Sequence, residues 1–336
     1  MITDLQKLAR IIEKDEFLKE VIRCTTLAEI PHRGRSYPLL AFTVGSNDPC
    51  SPVMFLCGGV HGLERIGAQL AWSLLKTTVD RLVWDKSMRD LFKNIRLVVV
   101  PLLNPVGYHH ATRSNGNGVD LMRNSPVNAE DPTPFLVGGH RHSNKLPWYR
   151  GAEGVLEVEN QCLFKLFQEQ ANLSRCVISL DFHSGFGMRD RLWFPYSYRA
   201  APFENLPEMH ALTQLFENTH PYHIYQIEPQ SHGYLLNGDI WDHLYQSFKA
   251  QNKTATYLPI TLEMGSWNWV RKNPWQIFSR SGVFNPMKEH RVKRTYRRHH
   301  MLFDFLLRAL NSNEVWANLD STLRFKHDQL GRERWY

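Results

Sequence analysis

Four short runs of almost unbroken apolar residues constrain this chain more than anything else in it: "VMFLCGG" (53–59), "IRLVVVP" (95–101), "CVISLDF" (176–182) and "TYLPITLEM" (256–264). Each has the length of a strand and is rich in β-branched residues, and none alternates apolar with polar. A strand that is apolar on both sides has no face to offer water, so it belongs in a sheet covered on both faces. A fifth run, "LLAFTVG" (39–45), joins them. Between these runs the apolar period becomes helical, over about 65–79, 153–171, 238–249 and 290–311. Strands alternating with helices predict an α/β fold, with a mixed, mostly parallel central sheet sandwiched by helices. No repeat, low-complexity segment or linker divides the chain, so a single domain is expected.

At 43% hydrophobic and 22% charged residues, the composition is that of a globular chain and excludes disorder. No apolar stretch approaches the ~20 residues of a membrane span. The opening "MITDLQKLARIIEKDEFLKEVIR" mixes charges through a helical pattern of Leu5, Leu8 and Ile12, unlike a signal peptide. Five scattered cysteines without a C-x-x-C fit reduced thiols. A cytoplasmic location is the expectation. The net charge of +7 owes much to "KEHRVKRTYRRHH" (288–300), which leads into "MLFDFLLRAL". One helix is expected there, basic and solvated in its first half and buried in its second. Zinc-finger spacing and an RNA-recognition signature are both missing, so the expected partners include neither nucleic acid nor a membrane.

The chemistry gathers at strand ends, with the ligand site at their carboxyl termini. "HGLE", just past the second strand, sets His61 and Glu64 three residues apart, where one helical turn brings imidazole and carboxylate to the same side. His183 follows another strand in "DFHSG", and His109, His110, His140 and His142 compete with it as a third imidazole. Two His and one Glu, with a fourth position open, form a catalytic zinc set. Glu263 ends a further strand in "TLEMGS". The long segment 102–152, dense in Gly, Asn and Pro, supplies Arg113 and Arg123, and a loop of that length is usually functional. A hydrolase needs such a carboxylate as general base and such cations for a developing oxyanion. G-x-S-x-G, H-E-x-x-H and P-loop motifs are all missing.

In this order, "HGLE", "TRS", "GVDLMRN", "DFHSG" and "TLEMGS" resemble the zinc metallocarboxypeptidases of the carboxypeptidase A/B type, over about residues 35–310. "WYRGAEGVLEVEN" resembles the family's acidic helix start after a glycine turn. The absence of a recognisable leader points to a cytosolic, bacterial-type branch. The resemblance implies an N-terminal helical extension (1–30), a catalytic domain (31–312) and a C-terminal tail (313–336). It implies one Zn²⁺ per chain held by His61, Glu64 and His183, with Asp120 behind the first ligand His. Glu263 would be the general base toward zinc-activated water, Arg113 would stabilise the oxyanion, and Arg123 would grip the terminal carboxylate of a peptide. Tyr234, ahead of Tyr245, matches the family's mobile tyrosine. Asp239 or Ile240 would set side-chain preference, Asp for Lys or Arg and Ile for apolar residues.

One departure stands out: the family has Asn before the second arginine, and this chain has Met122, whose thioether cannot donate to a carboxylate. The expected reaction is release of a C-terminal amino acid. Its rivals are N-acyl amino acid hydrolysis of the succinylglutamate desuccinylase/aspartoacylase kind and murein-peptide amidase activity. A metal-binding scaffold using the basic helix is the reading without catalysis, and Glu263 argues against it.

Overall fold

All five apolar runs are strands, and they pair with one another. In the computed structural model, which describes residues 1–336, they form the body of one eight-stranded sheet. The elements in chain order are α1 (Ile2–Lys14), α2 (Glu16–Val21), β1 (Ile22–His32), β2 (Arg35–Gly45), β3 (Val53–Gly58), α3 (Arg65–Trp84), α4 (Lys86–Asn94), β4 (Arg96–Val100) and α5 (Pro105–His110). There follow α6 (Val158–Ala171), β5 (Cys176–Ser184), β6 (Arg191–Phe194), α7 (Leu206–Thr219), β7 (Gln226–Pro229), α8 (Ile240–Gln251), β8 (Thr256–Met264), α9 (Trp267–Lys272), α10 (Glu289–Asn311) and α11 (Ser321–Trp335).

The strand order is β1-β2-β4-β3-β5-β8-β6-β7. Strands β4, β3, β5 and β8 run parallel, while β1, β2 and β6 run antiparallel to their inner neighbours. Every residue of β3, β4 and β5 is buried, which is why these runs carry no polar alternation. Helices α3, α4 and α10 pack together on one face, and α6 and α8 on the other. None of the helices is long and apolar enough to cross a membrane.

From β3 the chain crosses to β4 on one side, and it later enters β5 on the other. Connections that part in this way open a crevice at the carboxyl ends of the two strands. In the β5–β8 ladder, His183 and Glu263 are register partners. Pro259, a residue central strands avoid, lies in β8 ahead of the stretch where β6 pairs, which covers only Thr261 to Glu263.

Two expectations need correction. The N-terminal helical extension ends at Val21, because residues 22–32 form β1 and pair along β2. As an edge strand with much of its length exposed, β1 has no apolar run to announce it. Residues 313–336 are no loose tail: α11 packs on α7, and buried Trp335 donates from Nε1 to the Ile227 carbonyl at 2.8 Å. Strands β6 and β7, of four residues each, are too short to show a period.

Candidate active site

The turn that follows β3 is shaped by close approaches. A Cβ on Gly62 would stand 1.9 Å from the Gly107 carbonyl carbon, and one on Gly67 would stand 2.3 Å from the Phe182 carbonyl oxygen. Only glycine lets the first turn of α3 sit this closely on β5, whose end carries His183. The Glu64 N–H donates to the His61 carbonyl at 3.1 Å, so both side chains leave one tight turn.

Three donor residues meet there, all buried, with one ligand atom of each within 4.8 Å of the others. His61 Nδ1 lies 2.9 Å from Glu64 Oε1, and His183 Nδ1 lies 3.2 Å from Glu64 Oε2. The two Nδ1 atoms face each other at 3.2 Å, a contact that needs a proton or a cation between lone pairs. Each ring's second nitrogen is already engaged: His61 Nε2 with Asp120 Oδ1 at 3.0 Å, His183 Nε2 with Asp181 Oδ2 at 2.7 Å. These carboxylates fix the ring proton on Nε2 and turn the Nδ1 lone pairs toward the centre. Two nitrogens and one carboxylate, open on one side, fit a catalytic zinc ion.

The carboxylates behind the ligands are supported in turn. Asp120 Oδ2 accepts from Arg113 Nε at 2.8 Å, and Asp181 Oδ2 accepts from Trp241 Nε1 at 2.7 Å. Burial opposes the Asp120 charge, but Arg113 and His61 hold its carboxyl well below the usual range. Arg113 also reaches toward Glu64 Oε1, at 3.4 Å. Its loop is clamped from α6: Asn115 and Asn117 both donate to Glu157, at 2.8 and 2.7 Å, and Asn115 also donates to Glu159. That is the task of the acidic helix start in "GVLEVEN".

Glu263 comes from β8, beside His183. Burial, and then the charge of Glu64, push its carboxyl up to about 8. Its Oε1 accepts the Phe186 N–H at 3.0 Å, leaving Oε2 for proton exchange.

Ligand set, Glu263, Arg113 and Arg123 all line one cleft of about 660 Å³. Aromatic walls, among them Trp148, Trp193, Trp267 and Phe284, surround them. Arg123 is 2% exposed, yet it has no carboxylate within 4.0 Å. Its guanidinium makes only long contacts of 3.4 Å, to the Val137 carbonyl and the Tyr234 hydroxyl.

Most residues singled out from the sequence therefore converge. Tyr234 lines the cleft, whereas Tyr245 is buried and donates to Asn205 Oδ1 at 3.2 Å. Asp239 also lines the cleft, and its Oδ1 caps α8 through the N–H groups of Trp241 and Asp242. Ile240 does not reach the cleft; it points into the core at 0% exposure, as the residue after a helix cap faces away from the cap. The competing imidazoles lie elsewhere. His109 packs on Tyr37, His110 on His32, and His140 stacks on His142. Sequence reading missed Asp181 and Trp241, although an Asp two positions before a strand His shares its face and could have signalled the pair.

The family profile described as zinc carboxypeptidase matches residues 16–270. The carboxypeptidase N catalytic chain of Homo sapiens is 30% identical over 171 residues, covering 45% of this chain and 35% of that one. Carboxypeptidase B of Helicoverpa zea is 25% identical over 182 residues, covering 51% and 40%. The chain spans less than half the length of these relatives. The crystal structure of thrombin-activatable fibrinolysis inhibitor superposes with a TM-score of 0.69 at 18% identity, covering 93% of this chain and 74% of that one. Carboxypeptidase A from Helicoverpa armigera gives 0.64 at 18% identity, covering 93% and 71%. These superpositions establish the shared fold, and the profile establishes kinship: the chain belongs to the zinc carboxypeptidase family.

Proposed function

We propose that this protein releases the C-terminal amino acid of a peptide, with His61, Glu64 and His183 holding one Zn²⁺ per chain. Arg123 carries the reading: a buried guanidinium that lines the cleft and has no protein carboxylate within 4.0 Å supports recognition of a substrate carboxylate. A planar, two-pronged donor suits that group. The Tyr234 hydroxyl, 3.4 Å from Arg123, closes over the same end of the substrate.

A zinc ion at this cluster would lower the pKa of water and polarise the scissile carbonyl. Glu263, at Oε2, takes the proton of the attacking water and returns it to the leaving amine. Its register pairing with His183 and the free Oε2 beside the ligand set support that role. Arg113, already oriented by Asp120, donates to the oxyanion as it forms. Asp239, on the cleft wall, favours a basic C-terminal side chain. The five free cysteines support a reducing, cytoplasmic compartment.

The test is a peptide library in two forms, with free and with amidated C-termini, given to the zinc-loaded protein and to Arg123→Ala. Only free C-termini should be trimmed, Lys and Arg first. Arg123→Ala should lower kcat/KM by about 100-fold. Equal trimming of amidated peptides, or hydrolysis of N-acyl amino acids or murein peptides with no release from ordinary peptides, overturns the proposal.

A further inference from the structure

The surface between Trp267 and Arg298 exposes several large apolar side chains. The 3₁₀ turn Pro274–Phe278 holds Trp275 at 79% and Phe278 at 81% exposure, with their rings 6.0 Å apart. Ile277, in the same turn, and Met287, further along the segment, are each about half exposed. None of the four lines the cleft, whose wall in this segment is Trp267, Val283 and Phe284. An apolar cluster of this size held in water marks an interaction site.

The same stretch of chain is rich in exposed cations. Arg271, Lys272 and Arg280 are exposed in the same segment. On α10, Lys293, Arg294 and Arg297 form an exposed stripe at helical spacing. The one carboxylate from Trp267 to Arg298 is Glu289, 2.7 Å from Lys293. The exposure is built in. Arg291 donates to the carbonyls of Trp269 and Lys272, at 3.1 and 3.2 Å. Gln276 Nε2 donates to the Gly282 carbonyl at 2.6 Å. Asn285 ties the segment to α3, accepting the Ile66 N–H at 2.9 Å and donating to the Leu63 carbonyl at 2.8 Å.

We propose that this surface docks on an anionic lipid bilayer, seating Trp275, Ile277, Phe278 and Met287 at the headgroup level while the segment's cations meet lipid phosphates. Aromatic residues favour that boundary, and aliphatic residues enter it, whereas Ile277 and Met287 would find no partner in a stacked nucleic acid. The basic residues supply the second signal that stable peripheral binding needs. The contact is peripheral: it needs no membrane span, but it departs from the expectation, drawn from the sequence, that the partners include no membrane. Because Trp267 and Phe284 belong to the same segment, docking places the cleft mouth beside the bilayer. The proposal is independent of what the cleft hydrolyses.

Vesicle sedimentation of the full chain tests it, with phosphatidylcholine alone and mixed with phosphatidylglycerol. The chain is expected to sediment with the anionic vesicles at low salt, to detach as salt rises, and to ignore phosphatidylcholine. Trp275→Ser/Phe278→Ser and Lys293→Glu/Arg294→Glu/Arg297→Glu should each lower partitioning by about tenfold or more at an unchanged melting temperature. Trp275→Phe, which keeps an apolar ring, should still bind but lose most of the fluorescence quenching by brominated lipids. No sedimentation with anionic vesicles, equal sedimentation of both multiple variants, or binding to single-stranded RNA alone overturns the proposal.

Discussion

Two walls of one cleft treat buried charge differently. On the metal side three carboxylates have their counterparts: Glu64 between two imidazoles, Asp120 against Arg113 and His61, Asp181 between His183 and Trp241; Glu263, held only by the Phe186 N–H, is the exception that the chemistry requires. On the opposite side Arg123 has no carboxylate within 4.0 Å, and Asp239, whose charge it eases from a distance, caps a helix. Behind it, Asp242 has no cation beside it and accepts from the Ser197 N–H and hydroxyl, at 2.8 and 2.5 Å. Burial, and then the charge of Asp239, push the Asp242 carboxyl up to about 8. A matched buried charge is fixed in place before any ligand arrives. An unmatched one waits for a ligand or gives up its charge. The first wall is built for position and the second for selection.

Substitutions on the two walls should therefore fail in different ways. The largest effect is expected from Glu263→Gln: kcat should fall about 10³-fold while elemental analysis still finds one zinc per chain. Loss of the metal in that variant would move Glu263 from proton carrier to ligand and blur the division. Next is Asp181→Asn. Chelator competition should show zinc affinity reduced by roughly 10- to 100-fold, because His183 loses the partner that orients its ring. An unchanged affinity would mean that matching on this wall is incidental.

Asp242 tests the other wall. Its folded pKa lies above the unfolded value of about 3.9. Between about pH 4 and pH 8 the native chain therefore keeps a proton that the unfolded chain releases, and stability falls as pH rises through that window. Asp242→Asn retains an acceptor for Ser197 and removes the titration. Urea melts should show it roughly 1–3 kcal/mol more stable at pH 7.5, with a smaller gain at pH 5. A variant less stable at both would show that the ionised carboxylate is what the fold uses. The smallest effect is expected for Met122→Asn, which adds a donor to the wall beside Arg123. KM for free C-termini should fall by about fivefold, the worth of one hydrogen bond. Amidated peptides should show no change.

The matched wall was largely legible in the sequence, and the reason is structural. Its metal ligands and Glu263 follow or end apolar strands, which announce themselves, and two of its pairs, His61 with Glu64 and Asp181 with His183, are local in the chain. Asp181 escaped notice because a polar residue inside "CVISLDF" reads as an interruption of a strand until its neighbour's ring is seen turned toward it. The unmatched wall depends on tertiary contacts that no period encodes. Whether Asp239 or Ile240 faces the cleft is decided by which one caps α8. Strand β1 hid for the opposite reason to β3: an edge strand owes half its residues to water, and its eleven residues mix charge with apolar side chains. The exposed Trp275 and Phe278 were equally silent, since an aromatic residue in a sequence is more readily taken for core.

The pairing of His183 with Glu263 across β5 and β8 has one further consequence. Adjacent strands stand about 4.8 Å apart wherever a ladder forms. The interval between the metal's ligand and the proton's carrier is thus inherited from the peptide bond. Repacking the neighbours can reshape the cleft around the substrate but leaves that interval alone, and a register slip of one residue would carry the acid to the far face altogether. The one adjustable dimension is the reach of the acid itself. An aspartate at this position would stop one carbon–carbon bond short of its work, at a distance from the reacting atoms where a single ångström is worth about 100-fold in rate.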